Sequence, residues 1–525
     1  MTRVTTLLER AAIALLALCA VLLALVGLAA SVSTLPSNEG RTVSPAVSDS
    51  DDTRLGRRLA PQVAAHPGVA GIHSLADPLD AFAARVQLAA AAERTIDVQY
   101  YIWKGDISGT MLLDALRAAA ERGVRVRMLL DDNGTTGLDP VLAALDRHPR
   151  IEVRLFNPFV NRTTRLIGYI GDFRRSNRRM HNKSFTVDGQ VTIVGGHNIG
   201  DAYFAAGDGP VYADLDVMAI GPVVADVSAD FDRYWASASS YPVDRILPAV
   251  APEALDRFAA EAKRERSEPL AQAYLARQRG STLVADLAEG RLDITWAPTR
   301  MVSDDPAKGL GQAAPEDSLA AQLAEIIGRP QRQVDLVSAY FVPTDAGVDA
   351  FVRMTARGVA VTILTNSLQA TDVAVVHAGY AKHRRRLLKG GVTLYEMRRL
   401  GPEGLDREAI GASGSSASSL HAKTFSVDDE RVFIGSFNFD PRSVNLNTEL
   451  GFVIESRELA EAIHSGIARR LPDVAWRVEL TEDDRLRWVS GRADEPEWLD
   501  TEPGAPVWRR ACVWLLSWLP IDWML

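Results

Sequence analysis

Two stretches of the chain repeat one spaced pattern, and no other feature constrains the fold as much. Residues 181–188 read HNKSFTVD and residues 421–428 read HAKTFSVD, both H-x-K-x-x-x-x-D, 240 residues apart. Each is followed by a Gly-rich turn and an Asn, GGHN at 195–198 and GSFN at 435–438, with 17 residues from His to Asn in both. The surroundings repeat as well. Thr95–Ile102 reads as a buried strand, and Met111, Leu112, Ala115, Leu116 and Ala119 then fall at helical spacing. Gly123 suits the left-handed end of that helix, and Val124, Val126 and Met128 alternate into a second strand. The second half repeats this with Val334–Phe341, a helix carrying Val348, Phe351 and Val352, Gly358, and the alternation of Val359, Val361 and Ile363. Strands alternating with helices predict an α/β fold of two lobes, each a mixed, largely parallel sheet flanked by helices.

Strand alternation puts His181 and Lys183 on one face, and His421 and Lys423 likewise. Asp188 and Asp428 lie seven residues beyond each His, in the hairpin turns V-D-G-Q and V-D-D-E. Parity gives them a structural role. Asn198 and Asn438 end the following strands, placed to return to the same site. This set suits phosphodiester chemistry. One imidazole can attack phosphorus and form a covalent intermediate. The other can protonate the leaving alkoxide and then activate the incoming alcohol or water. Two Lys and two Asn can hold the non-bridging oxygens, work that a metal does elsewhere. No metal and no cofactor is expected. The acid pairs Asp131/Asp132 and Asp304/Asp305 have no His or third acid spaced to complete a metal site.

The 58 basic and 67 acidic residues give a net charge of −9, which argues against a uniformly basic nucleic-acid binder. The two cysteines, Cys19 and Cys512, sit in apolar runs near the two ends, so neither a disulfide framework nor a Cys-based metal site is expected. Residues 11–30 are twenty apolar residues without a charge, long enough to span a bilayer. Arg3 and Arg10 precede them and no basic residue follows before Arg41, which predicts a cytoplasmic N-terminus. A cleaved signal peptide is the competing reading. The last residues carry Trp508, Trp514, Trp518 and Trp523 among Leu and Val, a composition suited to a bilayer interface, with Arg509 and Arg510 placed to meet anionic head groups. The expected divisions are a cytoplasmic N-terminus at 1–10, an anchor at 11–32, a flexible tether at 33–58, lobes at 60–290 and 291–471, and an extension with a Trp-rich tail at 472–525.

The paired HxKxxxxD motifs resemble the signature of the phospholipase D superfamily. The stretches DVQYYIW at 97, LLDDN at 129, RMHNKSFTVDG at 179, DPAKG at 305, LTNSL at 364 and GSFNFDPRS at 435 are similar to bacterial cardiolipin synthases, most closely their C type. The resemblance implies two lobes related by a pseudo-twofold axis with one active site between them, a phosphohistidine intermediate and no metal. It implies His181 as nucleophile and His421 as general acid/base, which the residues alone do not distinguish. Asp214 and Glu449 occupy equivalent places after the motif Asn residues, and the resemblance implies that a carboxylate there hydrogen-bonds a motif His. Gly196 departs from the pattern: the family usually has Ser there, as at Ser436. Arg174, Arg175, Arg178 and Arg179 crowd before His181 and are expected to steer anionic lipid. Arg384–Arg386 reads as a surface helix. The function implied is a phosphatidyltransferase of the bacterial inner membrane that forms cardiolipin, its domain on the periplasmic side. Phosphatidylglycerol is the acceptor, with phosphatidylglycerol or phosphatidylethanolamine as donor. A hydrolytic phospholipase D shares every catalytic residue and stays open; a nuclease or a non-catalytic scaffold fits less well.

Overall fold

The structure is a computed structural model that describes residues 2–47, 50–206, 211–399, 418–490 and 497–525. Four helices matter below: α1 (Thr2–Ser31), α2 (Arg165–Gly171), α3 (Phe173–Ser176) and α4 (Val507–Leu516). Among the described residues the chain forms two large sheets. In the first, the central strands run in the spatial order Asp216–Ile220, Val191–Gly195, Ser184–Val187, Thr95–Ile102, Arg125–Gly134, Ile151–Phe156, Ser240–Pro242. In the second, the matching order is Leu450–Glu455, Arg431–Gly435, Lys423–Val427, Gln333–Ser338, Ala360–Asn366, Thr393–Met397, Ala475–Leu480. The duplication read from the motifs is thus a duplication of whole sheets.

The sheets are mixed, but they are not largely parallel. Within the two large sheets, among the described residues, parallel pairing is confined to the three strands joined by helical crossovers, Thr95–Ile102 with Arg125–Gly134 with Ile151–Phe156, and their counterparts in the second lobe. The motif strands fold back as hairpins and pair antiparallel on both sides. The reason lies at the motif Asp. Asp188 and Gly189 both have positive φ, as do Asp428 and Asp429, which is the backbone of a tight two-residue hairpin turn. Each Asp carboxylate then accepts backbone N–H groups at the start of the adjacent strand: Glu93, Arg94 and Thr95 for Asp188, and Gln331, Arg332 and Gln333 for Asp428. The motif Asp therefore ties the motif hairpin to the neighbouring strand.

The two lobes meet through an apolar seam. Val194, Val217 and Ala219 of the first sheet pack with Val432, Ile434, Leu450 and Phe452 of the second. The expected boundary at 290/291 falls too early. Thr295–Ala297 still pairs with Ala70–Ile72 of the first sheet, held there by Trp296 stacked 4.0 Å from His66. The chain changes lobes at Pro298, and Thr299–Ser303 joins the second sheet. Nor is 472–525 a separate extension: strands at Ala475–Leu480, Leu486–Ser490 and Glu497–Leu499 continue the second sheet. The segment expected as a flexible tether is laid along the first lobe. Asn38 and Arg41 donate to the carbonyl of Ser240 at 2.8 and 2.6 Å, and the N–H of Ala46 donates to Asp232 at 2.7 Å. These polar side chains find acceptors at the sheet's edge strand, which the segment covers.

Candidate active site

Each motif His enters the site on backbone borrowed from the other lobe. The His181 N–H donates to the Thr448 carbonyl at 2.9 Å, and the His421 N–H donates to the Ala213 carbonyl at 2.8 Å. The next residue in each case is a carboxylate. His181 Nδ1 lies 2.8 Å from Glu449 Oε2, and His421 Nδ1 lies 2.5 Å from Asp214 Oδ2. The family resemblance implied that a carboxylate here serves a motif His; the structure shows that the pairs are exchanged, each lobe orienting the other lobe's His. A carboxylate on Nδ1 fixes the tautomer with its proton there and leaves the Nε2 lone pair for chemistry. Aromatic rings set the imidazole planes: Tyr101 against His181 at 5.0 Å, and Tyr203 and Tyr212 against His421 at 5.2 and 5.3 Å.

Both lysines are buried beside their imidazoles. Lys183 Nζ donates to the His181 carbonyl at 2.6 Å, and Lys423 Nζ donates to the His421 carbonyl and lies 3.0 Å from His421 Nδ1. Burial pulls Lys183 down to about 7, with Glu449 opposing and Lys423 adding to the fall. Lys423 is also lowered by burial, with Asp214 and Glu449 opposing. His181 is pushed well below its ordinary value by burial and by the two lysines. His421 is lowered to about 4 by burial and Lys423, but Asp214 resists. Which way the lysines and the carboxylates would balance was not predictable from sequence; desolvation and the two cations win.

The halves are electrostatically unequal. Burial raises the Asp214 carboxyl, but His421 and His197 outweigh it and hold it at about 2, fully ionised. Burial raises Glu449 to about 7, which Lys183 and Ser436 only partly offset. The departure at Gly196 belongs to this difference. A Cβ added at Gly196 would stand 2.0 Å from Asp214 Oδ1, so the carboxylate occupies the space a Ser side chain needs. In the second lobe Ser436 keeps its hydroxyl and donates to Glu449 Oε2. Next to Gly196, His197 lies 3.1 Å from Asp216, which is paired with buried Arg85 at 2.6 Å. Phe437 takes the equivalent place in the second lobe. His197 went unnoticed in the sequence, although it stands inside the GGHN turn.

The other site expectations divide. Asn198 accepts from the Ile102 N–H at 3.1 Å and donates to the Tyr203 hydroxyl at 3.0 Å, so it braces the ring that packs on His421. Asn438 accepts from the Tyr340 N–H at 3.4 Å. The four arginines before His181 are not a steering face. Arg175 pairs with Asp172, Arg178 donates to the Asn445 carbonyl, and Arg179 is buried against Asp131 and the Asn157 carbonyl; Arg174 alone of the four is exposed. They shape the entry to the motif strand, and Asp131 completes that job by accepting the Met180 N–H at 2.8 Å. Asp304 accepts the Glu449 N–H and pairs with Lys308, both at 2.9 Å. Arg384 is likewise not surface: it is buried between Glu396 and Glu502.

The family described as cardiolipin synthase, PLD-like domain, matches residues 86–235 and 323–471, one match in each lobe. The chain is 52% identical to cardiolipin synthase C of Escherichia coli (strain K12) over 472 residues, covering 90% of this chain and all of that protein. It is 27% identical to cardiolipin synthase A of Pseudomonas entomophila (strain L48), covering 78% of this chain and 71% of that protein. Among solved structures, the phosphatidylserine synthase of Haemophilus influenzae Rd KW20 has the same fold, with a TM-score of 0.53 at 15% identity over 81% of this chain and 92% of that one.

Proposed function

The chain belongs to the cardiolipin synthase family of phospholipase D-like proteins, and on that premise we propose that it transfers a phosphatidyl group to phosphatidylglycerol through a phosphohistidine, forming cardiolipin. The observation that carries this reading is the exchanged pairing of His181 with Glu449 and His421 with Asp214. It gives one site, shared by both lobes, with two imidazoles of different character. His181 is the more strongly neutral, which suits a nucleophile. His421 faces an ionised carboxylate, which supports a passing positive charge and suits a general acid/base.

In the proposed first step His181 Nε2 forms a bond to phosphorus as the bond to the donor's head-group oxygen breaks. His421, protonated on both nitrogens once the anionic phosphodiester is bound beside it, gives its Nε2 proton to the leaving alcohol, glycerol from phosphatidylglycerol or ethanolamine from phosphatidylethanolamine, and keeps the Nδ1 proton on Asp214. In the second step the acceptor's hydroxyl loses its proton to His421, attacks phosphorus, and the P–N bond breaks. Lys183 and Lys423 hold the non-bridging oxygens, and the approach of a phosphate anion restores full charge to Lys183. Water in place of the second lipid gives phosphatidic acid, so the products decide between transferase and hydrolase. With phosphatidylglycerol vesicles as substrate we expect cardiolipin to exceed phosphatidic acid; phosphatidic acid as the main product would favour the hydrolytic reading.

The apolar stretch Ile13–Ser31 of α1 has a mean hydropathy of 2.9 and is almost wholly unburied, as a membrane anchor is. We place the lobes on the periplasmic side of the inner membrane, from Arg3 and Arg10 ahead of the helix. A C-terminal alkaline phosphatase fusion should be active, and an inactive, stably expressed fusion would reverse the orientation.

A further inference from the structure

We propose that α4 and the residues after it are a second membrane-docking element, which seats the mouth of the active site on the phospholipid bilayer; this rests on the reading of the substrates as membrane lipids. Three surfaces meet there. The first is the end of α1. A Cβ on Gly171, the last residue of α2, would stand 2.5 Å from the Ala29 carbonyl oxygen, so the spanning helix leaves the lobe against α2. The bilayer surface must therefore lie close to α2. The second surface is α2 and α3 themselves, where Leu166, Ile170 and Phe173 are exposed, with exposed Arg174 beside Phe173. The third is the tail. On α4 only Val513 is buried, against Leu368 and Ala378. The outer side presents Val507, Trp508, Trp514, Leu515, Trp518 and Trp523, each more than half exposed.

Arg442 binds the second and third surfaces together. Its guanidinium donates to the Asn177 carbonyl at 2.7 Å, one residue past α3, and to the Met524 carbonyl at 3.1 Å. Asn177 is four residues before His181, whose imidazole feels the Arg442 charge. Arg442 thus ties the segment leading into His181 to the end of the tail, and on this proposal the apolar surfaces form one rim at the entrance to the imidazole. Large exposed apolar patches are rare on proteins without a partner for them. Trp is the residue that settles at the lipid–water interface, and continuity with the point where α1 leaves the lobe identifies the partner as a bilayer. A phospholipid would then reach His181 along the membrane surface, with its head group entering the cleft and its chains left in the bilayer.

The test uses the full chain with Cys19→Ser, so that Cys512, exposed on α4, is the single thiol. It is labelled with an environment-sensitive fluorophore and reconstituted into phosphatidylglycerol vesicles. We expect loss of emission when the lipids carry brominated acyl chains, and no quenching by iodide in the aqueous phase. A label that iodide reaches and bromolipid does not quench overturns the proposal. So does a label shielded from both, which would mean that a protein, such as a second copy, covers α4. A second arm compares Trp514→Asp/Trp518→Asp with the parent chain. Turnover should fall on vesicles and be unchanged on short-chain, monomeric phosphatidylglycerol. An equal loss on both substrates would make the tail a structural element and refute its role in orienting the site, as would no loss on either. The quenching is read without turnover, so failure of the phosphatidyltransferase reading leaves that arm standing.

Discussion

Alanine at His181 or at His421 is expected to abolish turnover, each by about 10⁴-fold or more, the scale seen when one member of a nucleophile–base set is removed. Neither loss can be shared out to the other imidazole. Each is fixed by a different lobe's carboxylate, and the two differ in how readily they take a proton. The variants should fold, because both side chains face the cleft while the hairpins are held by Asp188 and Asp428. The two variants should differ in what they can trap. With a phosphatidyl ester whose leaving group needs no proton, His421→Ala still forms the P–N bond and accumulates phosphohistidine, detected by mass spectrometry after an alkaline quench. His181→Ala accumulates none. Wild-type amounts of lipid product from either variant would sink the two-imidazole mechanism, and the opposite trapping pattern would exchange the two roles.

Much of this site was legible in the sequence because its signal is local and doubled. The His and Lys positions follow from strand parity, and the structural role of Asp188 and Asp428 follows from the same parity carried seven residues on. The exchange of carboxylates was not legible. Asp214 aligns with Glu449 only across a gap in the longer first half, and which His each one serves depends on how the sheets meet at Val194, Ile434 and Phe452. The arginines were misread for a related reason. Four in six residues look like a charged face, but Arg175, Arg178 and Arg179 spend their donors on Asp172, Asp131 and main-chain carbonyls, as guanidinium groups drawn out of water must. Arg384, set in a run of three arginines, is buried by Glu396 and by Glu502, which lies 118 residues away. Long-range partners of that kind leave no local pattern. The sheet direction was misjudged because alternating strands and helices imply parallel pairing, whereas the hairpins that carry the motifs reverse it.

Asp214→Asn is expected to cost about 10²–10⁴-fold in turnover at neutral pH, the range spanned by loss of an orienting partner and loss of the carboxylate of a catalytic His. Glu449→Gln should cost clearly less. The difference follows from the charge each carboxylate carries. Asp214 sits at about 2, so the amide removes a whole negative charge from beside His421. Glu449 sits at about 7 and is already part-neutral at that pH, so its amide removes less. The pH profile supplies the sign. His421 is held at about 4 because burial and Lys423 pull it down while Asp214 holds it up. Without that anion its pKa falls further, because an opposite charge at contact distance no longer favours the protonated form. Activity that requires a protonated His421 is lost as pH rises through its pKa in the substrate complex, so the alkaline limb of the Asp214→Asn profile moves to lower pH. In Glu449→Gln the alkaline limb stays near that of the parent, because the carboxylate beside His421 is intact. A profile that only scales down, without moving, would mean that Asp214 holds His421 in place and does not tune its charge. Equal losses for the two amides would mean that the asymmetry built around Gly196, Asp214 and His197 has no part in dividing the labour between the two imidazoles.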